Sequence, residues 1–180
     1  MARIVGYIAQ SLDGFIATER GTLEWLLKYD DLDQGEFSYE RFIARIATIV
    51  MGRDTYEYVA NEMGADWPYP DQRSIVVTSR PIENLPTGVE VWSEGVDALI
   101  AHLRADTDGD VWMVGGGRLQ MAFLERGALD EIEIYVMAEL IGGGVPIFPP
   151  TGFVASPRLI SATTLNRGCV RLHYAFDTKA

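Results

Sequence analysis

Asp110-Val111-Trp112-Met113-Val114-Gly115-Gly116-Gly117-Arg118-Leu119-Gln120-Met121-Ala122-Phe123-Leu124-Glu125-Arg126-Gly127-Ala128-Leu129-Asp130-Glu131-Ile132-Glu133-Ile134-Tyr135 decides how the rest of the chain is read. Val111 to Val114 is a short apolar run, the pattern of a strand buried on both faces. Leu119, Met121, Ala122 and Phe123 predict a helix with one apolar side, and Gly127 stands where that helix stops. A second strand is predicted to start near Glu131. The stretch is therefore a strand, a glycine-rich turn, a helix and a strand. The first N–H groups of a helix lack internal partners and carry partial positive charge, so an anion is a natural guest there. Glycines allow close approach because no Cβ intervenes. The other reading is a tight turn that needs positive φ and binds nothing. Gln120 occupies the place of the last glycine of the G-x-G-x-x-G fingerprint, and no Gly-Lys-Ser/Thr follows, so neither that motif nor a Walker A loop is present.

Outward from this unit the same grammar recurs. Arg3 to Ala9 reads as the first strand, Ser11-Leu12-Asp13-Gly14 breaks it, and Phe15-Ile16-Ala17 resumes an extended pattern. That break is either a mobile loop over a site or a hairpin-like turn. Gly21 to Tyr29 predicts a short helix or an ordered loop. Asp30, Asp31 and Asp33 form an acidic cluster spaced loosely like a calcium loop but without its Asp-x-Asp-Gly pattern and closing glutamate, and it is read as a solvated surface or helix N-terminal region. Glu36 to Ala47 predicts a helix, with Glu36 and Glu40 four residues apart on one side. Thr48 to Met51 is a strand, and Gly52-Arg53-Asp54-Thr55 leads into helical Tyr56 to Met63. Arg53 and Thr55 are good phosphate donors; equally, Asp54 or Thr55 caps the helix with Arg53 in water.

Asn61 to Gln72 reads as a loop, Arg73 to Thr78 as a strand ending in Thr78-Ser79-Arg80-Pro81, and Val89 to Trp92 as another strand. Gly95 to Asp106 predicts an amphipathic helix, and Asp106 to Asp110 a loop. The strand through Tyr135 is expected to reach about Leu140, followed by the breaker-rich Gly142 to Pro150. Arg158 to Leu165 and Cys169 to Phe176 predict an antiparallel hairpin. His173 has no obvious partner and is read as structural. The fold class is α/β: three layers, a mixed, mostly parallel sheet with helices on both faces, and a C-terminal hairpin. In such sheets ligands bind beyond the carboxyl ends of the strands, and three polar clusters fall there: Gly52 to Thr55, Thr78 to Arg80, and Gly115 to Arg118. Together they favour a dinucleotide site over three unrelated turns.

Bulk properties bound the options. At 180 residues and 48% hydrophobic, one globular domain over 1–180 is expected. A net charge of −11 argues against nucleic-acid binding through a basic surface. The single Cys169 suits a reducing cytoplasm, and with two histidines a His/Cys metal site is not expected. Neither a signal peptide nor a membrane span is expected.

Ser11 to Ala17, Met51-Gly52-Arg53-Asp54-Thr55-Tyr56-Glu57, Val77-Thr78-Ser79-Arg80-Pro81, Val114-Gly115-Gly116-Gly117-Arg118 and Gly142-Gly143-Gly144-Val145-Pro146-Ile147-Phe148-Pro149 stand in an order and spacing that resembles the dihydrofolate reductase fold. The resemblance is closest to the reductase domain of the bacterial riboflavin-pathway deaminase-reductase and covers nearly the whole chain. It implies an NADPH-dependent reductase that transfers hydride to a C=N bond of a pterin-like or ribosylamino-pyrimidine substrate. By the same resemblance Gly115, Gly116, Gly117 and Arg118 would cradle the pyrophosphate, Arg53 and Thr55 would hold phosphates near the adenosine half, and Gly52, Val114 and Leu119 would also contact the cofactor. Thr78, Ser79 and Arg80 would take the ribose and 2′-phosphate. Ala9 and Ile16 would line the nicotinamide, and Ser11 to Gly21 would close over it. Glu36, Glu40 and Asp13 are the candidate catalytic carboxylates. Dihydrofolate reduction and a catalytically silent NADPH-binding protein are the alternative readings. The resemblance also implies a homodimer, and a stand-alone relative without the zinc deaminase domain is expected.

Overall fold

Successive strand residues face opposite sides of a sheet, so an unbroken apolar run buries both faces. The chain uses this throughout. Its structure, a computed structural model, describes residues 2–63, 66–105 and 109–177. The strands of the main sheet are β1 (Ile4–Ser11), β3 (Ile46–Gly52), β4 (Arg73–Val77), β5 (Val89–Trp92), β6 (Asp110–Gly115), β7 (Glu131–Met137), β9 (Arg158–Thr164) and β10 (Val170–Ala175). Their order is β5-β4-β3-β6-β1-β7-β10-β9. The first six run parallel, and β10 and β9 run antiparallel at one side. A separate pair joins β2 (Phe15–Ala17) to β8 (Val145–Pro146).

The helices are α1 (Glu24–Leu27), α2 (Tyr39–Ile43), α3 (Arg53–Met63), α4 (Val96–Ala105) and α5 (Gly117–Glu125). Ile4, Val50, Ile75 and Met113 pack with Leu99 and Leu103 of α4 and Phe123 of α5. Their neighbours Val5, Ile49, Met51, Val76 and Trp112 pack on the other face with Phe42 of α2 and Tyr56 of α3. The expected three-layer α/β architecture with its C-terminal hairpin is what the chain adopts.

Several local expectations change. The helix expected over Glu36 to Ala47 is broken in two: Gly35–Phe37 is one 3-10 turn, Ser38 is extended at φ −62° and ψ 153°, and α2 begins at Tyr39. Ile46 and Ala47 belong to β3, where Ile46 is buried. Glu36 and Glu40 therefore do not share a helix face. Asn61 lies on α3 rather than in a loop, and β7 stops at Met137, short of Leu140. The Ser11 to Gly14 break does not make a hairpin between β1 and β2, because β2 pairs with β8 instead. Gly64, expected in a loop, and Asp106, expected to end a helix and open the loop to Asp110, lie outside the described residues.

His173 has a partner after all: its Nε2 lies 3.0 Å from Glu131 Oε2, across the β10–β7 pairing. One step along the same pair, Arg171 is 3% exposed. Its Nε donates to Glu133 Oε2 at 2.8 Å, its Nη1 to Ser161 Oγ at 3.1 Å, and its guanidinium lies over the Phe37 ring at 4.0 Å. Arg45 Nη2 donates to the other oxygen of Glu133 at 3.2 Å. A buried ion pair is costly to break on one side, because the remaining charge has no water. Glu133→Ala should therefore destabilise the chain by about 3 kcal/mol, whereas Glu133→Leu with Arg171→Met should stay within about 1 kcal/mol of the original. Urea unfolding midpoints check this; equal losses in the two variants would remove the argument.

Candidate functional site

A parallel sheet delivers all its strand ends to one rim. Gly52 of β3 pairs in register with Val77 of β4, and Met51 of β3 with Gly115 of β6. The three polar clusters that follow these strands therefore emerge side by side. Helix α3 starts directly after Gly52, and α5 directly after Gly116, so two helix N-termini open on the same rim. Each offers unpaired N–H groups and partial positive charge.

The three glycines do different things. Gly115 has φ +132°, a conformation that side chains resist. The Gly115–Gly116 peptide is cis. Gly117 is packed: a Cβ there would stand 2.8 Å from Pro146 O and 3.0 Å from Pro149 Cδ. Gly116 is ordinary in backbone, at φ −75° and ψ 180°, and a Cβ on it would meet only Thr55 Oγ1, at 3.6 Å. Gly116 thus fronts open space beside the α3 hydroxyl. Its carbonyl accepts from Leu119 and Gln120 N–H, which leaves the amides of Gly117 and Arg118 directed out of the first turn. Across the groove, a Cβ on Gly52 would lie 3.9 Å from both Gly115 O and Gly116 N.

The arginines divide into a strut and two free cations. Arg53 donates through Nη1 to the carbonyls of Arg80 and Pro81, at 3.2 and 3.1 Å, and through Nε to Glu57 at 2.5 Å. It binds the β3–α3 junction to the loop after β4. Thr78 holds that loop from inside: its N–H donates to Trp92 O at 3.0 Å, and its Oγ1 accepts from Arg80 N–H at 3.2 Å. Ser79 and Arg80 are exposed, as is Arg118. Among the described residues the guanidinium groups of Arg80 and Arg118 and the hydroxyl of Thr55 have no protein partner. Val114 packs on the α3 side and Leu119 on the α4–α5 side, flanking the groove.

At the end of β1 the Ser11 to Gly14 turn is clasped to the segment after β7. Asp13 accepts from Ser11 Oγ at 2.6 Å, Gly142 N–H at 2.8 Å and Ile141 N–H at 3.3 Å. Leu12 N–H donates to Glu139 O, and Ile147 N–H to Gly14 O. The Ser11 hydroxyl, then the Gly142 and Ile141 amides, hold the Asp13 carboxyl below its ordinary range. Glu40 is exposed, and its carboxyl is likewise held low, chiefly by the Ser38 hydroxyl. Glu36 is exposed on the 3-10 turn and lines a shallow depression with Phe37, Thr163 and Asn166. The structure therefore does not bring the three carboxylates together: Asp13 sits in the clasp, Glu40 on α2 and Glu36 beside the end of β9.

Ala9 packs with Tyr7, Trp25 and Tyr135 on one face, and Ile16 against the α4–α5 core on the other. Two groups near this end of β1 escape a sequence reading. Gln10 Oε1 and Trp25 Nε1 are buried without a hydrogen-bond partner among the described residues. A glutamine closing the apolar run Ile4 to Ala9 was the available signal. On the Trp25 side of the sheet lies an aromatic nest in which Tyr7 stacks on Phe42 at 4.3 Å and tilts against Tyr135 at 4.8 Å; Gln10, at the opposite parity on β1, faces the other side. Burial pushes the Tyr7, Tyr39 and Tyr135 phenols up, so they stay protonated donors. Among the described residues no group of three or more His, Cys, Asp or Glu side chains could hold a metal ion. No described helix is long and apolar enough to cross a membrane.

Comparison with known proteins gives the family and the fold. Residues 3–171 match the RibD C-terminal domain. The uncharacterized protein YwjB of Bacillus subtilis (strain 168) is 33% identical over 172 residues, which is 96% of this chain and 97% of that one. A crystal structure of a candidate riboflavin biosynthesis protein from Shewanella sp. PV-4 superposes with a TM-score of 0.82 at 28% identity, covering 98% of this chain and 99% of that one. The dihydrofolate reductase of Enterococcus faecalis, complexed with NADP(H), has the same fold, with a TM-score of 0.66 at 21% identity over 97% of this chain and 96% of that one. By the extent of the family match, this chain belongs to the RibD C-terminal domain family.

Proposed function

We propose that the chain is an NADPH-dependent reductase that passes hydride to a C=N bond of a pterin-like or ribosylamino-pyrimidine heterocycle. The observation that carries this is the convergence of three strand-end clusters on the adjacent strands β4, β3 and β6. The residues there fit a phosphorylated dinucleotide. Gly116 fronts open space, the first-turn amides of α5 are free of intrahelical partners, and Arg80 and Arg118 have unclaimed donors. Family membership and a shared fold with a protein that binds NADP(H) support the same reading.

In this reading the amides of Gly117 and Arg118 and the Thr55 hydroxyl hold the pyrophosphate, and Arg118 adds charge. Ser79 and Arg80 take the 2′-phosphate, because a doubly charged group needs charge-assisted donors. Arg53 keeps the two loops in register instead of spending its Nε and Nη1 on the ligand. Ala9 and Ile16 border the nicotinamide, and the clasped Ser11 to Ala17 segment excludes water from it. The cofactor, when bound, supplies the hydride. The orphaned Gln10 carbonyl and Trp25 N–H are available to polar atoms of the bound ring systems.

Proton delivery at neutral pH needs a group that keeps its proton. The clasp holds Asp13 ionised, and Ser38 does the same for Glu40. That leaves water as the proton source, with exposed Glu36, which makes no side-chain hydrogen bond among the described residues, free to orient it. That weak provision favours, as a second reading, an NADPH-binding protein without turnover.

Calorimetric titration with NADPH at sub-millimolar concentration tests the first claim, and no binding would end it. Cofactor oxidation with a phosphoribosylamino-pyrimidine against dihydrofolate then separates the substrates. Tight binding with no turnover on either selects the second reading. Arg80→Ala is expected to weaken NADPH roughly tenfold or more and NADH less than about twofold; equal losses would refute the 2′-phosphate assignment. Gly116→Val should raise the NADPH dissociation constant at least about tenfold with little change in melting temperature, as a ligand-facing Cβ requires. Gly117→Ala should instead lower stability by about 1–3 kcal/mol, since its Cβ collides with Pro146.

A further inference from the structure

Three of the four tryptophans commit their indole N–H to a protein acceptor, and one does not. Trp67 Nε1 donates to Ser74 Oγ at 3.1 Å, Trp92 Nε1 to Gly95 O at 2.9 Å and Trp112 Nε1 to Tyr7 O at 3.2 Å. Trp25 Nε1 is buried without a partner among the described residues. A buried indole N–H ordinarily finds an acceptor, because an unpaired donor away from water is costly. Trp25 also stands beside an opening in the sheet. β1 pairs with β7 from Val5 to Ser11, but with β6 only from Ile4 to Gly6. Past Gly6 the β6-side edge of β1 leaves the ladder, at Tyr7 and Ala9. Trp25, Tyr7 and Ala9 pack on the same cluster around Tyr29 and Tyr135. Ala9 is the proposed neighbour of the nicotinamide, so this aromatic nest adjoins the point where hydride would pass.

The polar inventory of the nest is one-sided. Three acceptors in it are engaged: the Tyr7 carbonyl by Trp112, the Phe37 carbonyl by Tyr135 Oη at 2.8 Å, and Gln34 Oε1 by Tyr39 N–H at 3.1 Å. The charges at its border are paired as well. Glu133 holds Arg171 and Arg45, whose guanidinium groups lie over the Phe37 and Phe42 rings. Glu139 holds Lys28 and accepts from Tyr29 Oη. Glu36 and Glu40 are exposed to water. Two donors remain, Trp25 Nε1 and the Tyr39 hydroxyl, which makes no hydrogen bond among the described residues. Burial pushes the Tyr39 phenol up, so it keeps its proton.

We infer, resting on the proposed reductase function, that this nest receives the substrate ring and selects it by a carbonyl: the ring is an uncharged oxo-heterocycle whose C=O accepts a hydrogen bond from Trp25 Nε1. Unpaired donors favour a ligand that brings an acceptor. An exocyclic amino group in the same place arrives as one more donor and leaves the indole N–H unpaired. A diamino ring of amidine type is best held by a free carboxylate, and the carboxylates bordering the nest, Glu133 and Glu139, already have cationic partners. Aromatic walls suit a planar guest, since rings stack on rings. The nest therefore discriminates by the direction of its hydrogen bonds, with charge playing no part.

A matched pair of pteridines tests this on the full chain: a dioxopteridine, which turns carbonyls outward, and the diaminopteridine that carries amino groups in their place on the same skeleton. NADPH is titrated first by calorimetry, and the pair is then titrated against the protein with and without the cofactor. The dioxo compound should bind at least about tenfold more tightly than the diamino one. Trp25→Phe, which keeps an apolar ring and removes the N–H, should weaken the dioxo compound about tenfold and leave the diamino one within about twofold, erasing the preference. Circular dichroism checks that the variant is folded. The indole N–H resonances of the unmutated chain are a readout that needs no variant: one should move downfield with the dioxo compound and hold still with the diamino one. Equal affinities, a preference for the diamino ring, or binding of neither compound overturns the carbonyl assignment. A dioxo preference that survives in folded Trp25→Phe, or that moves no indole resonance, overturns it as well. Failure of NADPH to bind counts against the reductase function itself, and the titrations without cofactor keep that outcome separate from the ring preference.

Discussion

The parallel pairing of β4, β3, β6, β1 and β7 is the constraint on which the rest depends. Parallel neighbours cannot be joined by tight turns, so the chain must cross over after each strand. All five strands then finish on one rim, and the helices that follow begin there. Two of them, α3 and α5, start immediately after a glycine on adjacent strands. Their dipoles point the same way because the strands do. A rim that favours anions is thus a consequence of strand direction before any side chain is considered. Glycine at positions 52 and 116 keeps the two backbones close and unobstructed.

The parts of the fold that could be read in advance are those whose cause is local. Val111 to Val114, the glycines after it and the periodic apolar positions of α5 carry their own instructions. The misread parts depend on partners far along the chain. Ile46 and Ala47 fit a helical face, but β3 claims them through pairing with β6 and β4, which arrive later in sequence. Ser11 to Gly14 looks like a hairpin because β2 follows it, yet the partner of β2 is Val145–Pro146. His173 seems alone until β10 lays it beside Glu131. The same division holds at the site. Glycines and hydroxyls at strand ends announce themselves, whereas the work of Arg53 and Asp13 shows only when the carbonyls and amides they bind have been placed.

Both residues illustrate how a polar side chain can shape a rim through the backbone groups it binds. Arg53 takes two carbonyls from the loop after β4, and Asp13 takes two amides from the loop after β7. Each satisfies backbone groups that no strand or helix can reach. The loops at the two ends of the rim are thereby fixed relative to the central glycines. A dinucleotide is long, and gripping it at several points is useful only if those points hold their spacing.

The anion site proposed at this rim looks contradictory in a chain of net charge −11, and the resolution is that range matters more than total charge. Exposed charges separated by more than about 8–10 Å are largely screened at physiological salt. What a bound phosphate feels is the nearest shell: first-turn amides that carry partial charge with no counter-ion, and the guanidinium groups of Arg80 and Arg118. Arg53, also at this rim, is neutralised by Glu57 one turn along α3. Removing Glu57 would therefore release a cation into the groove, but it would also loosen the tie that keeps the two junctions together. Carboxylates beyond that shell are screened and leave the proposed phosphate site open.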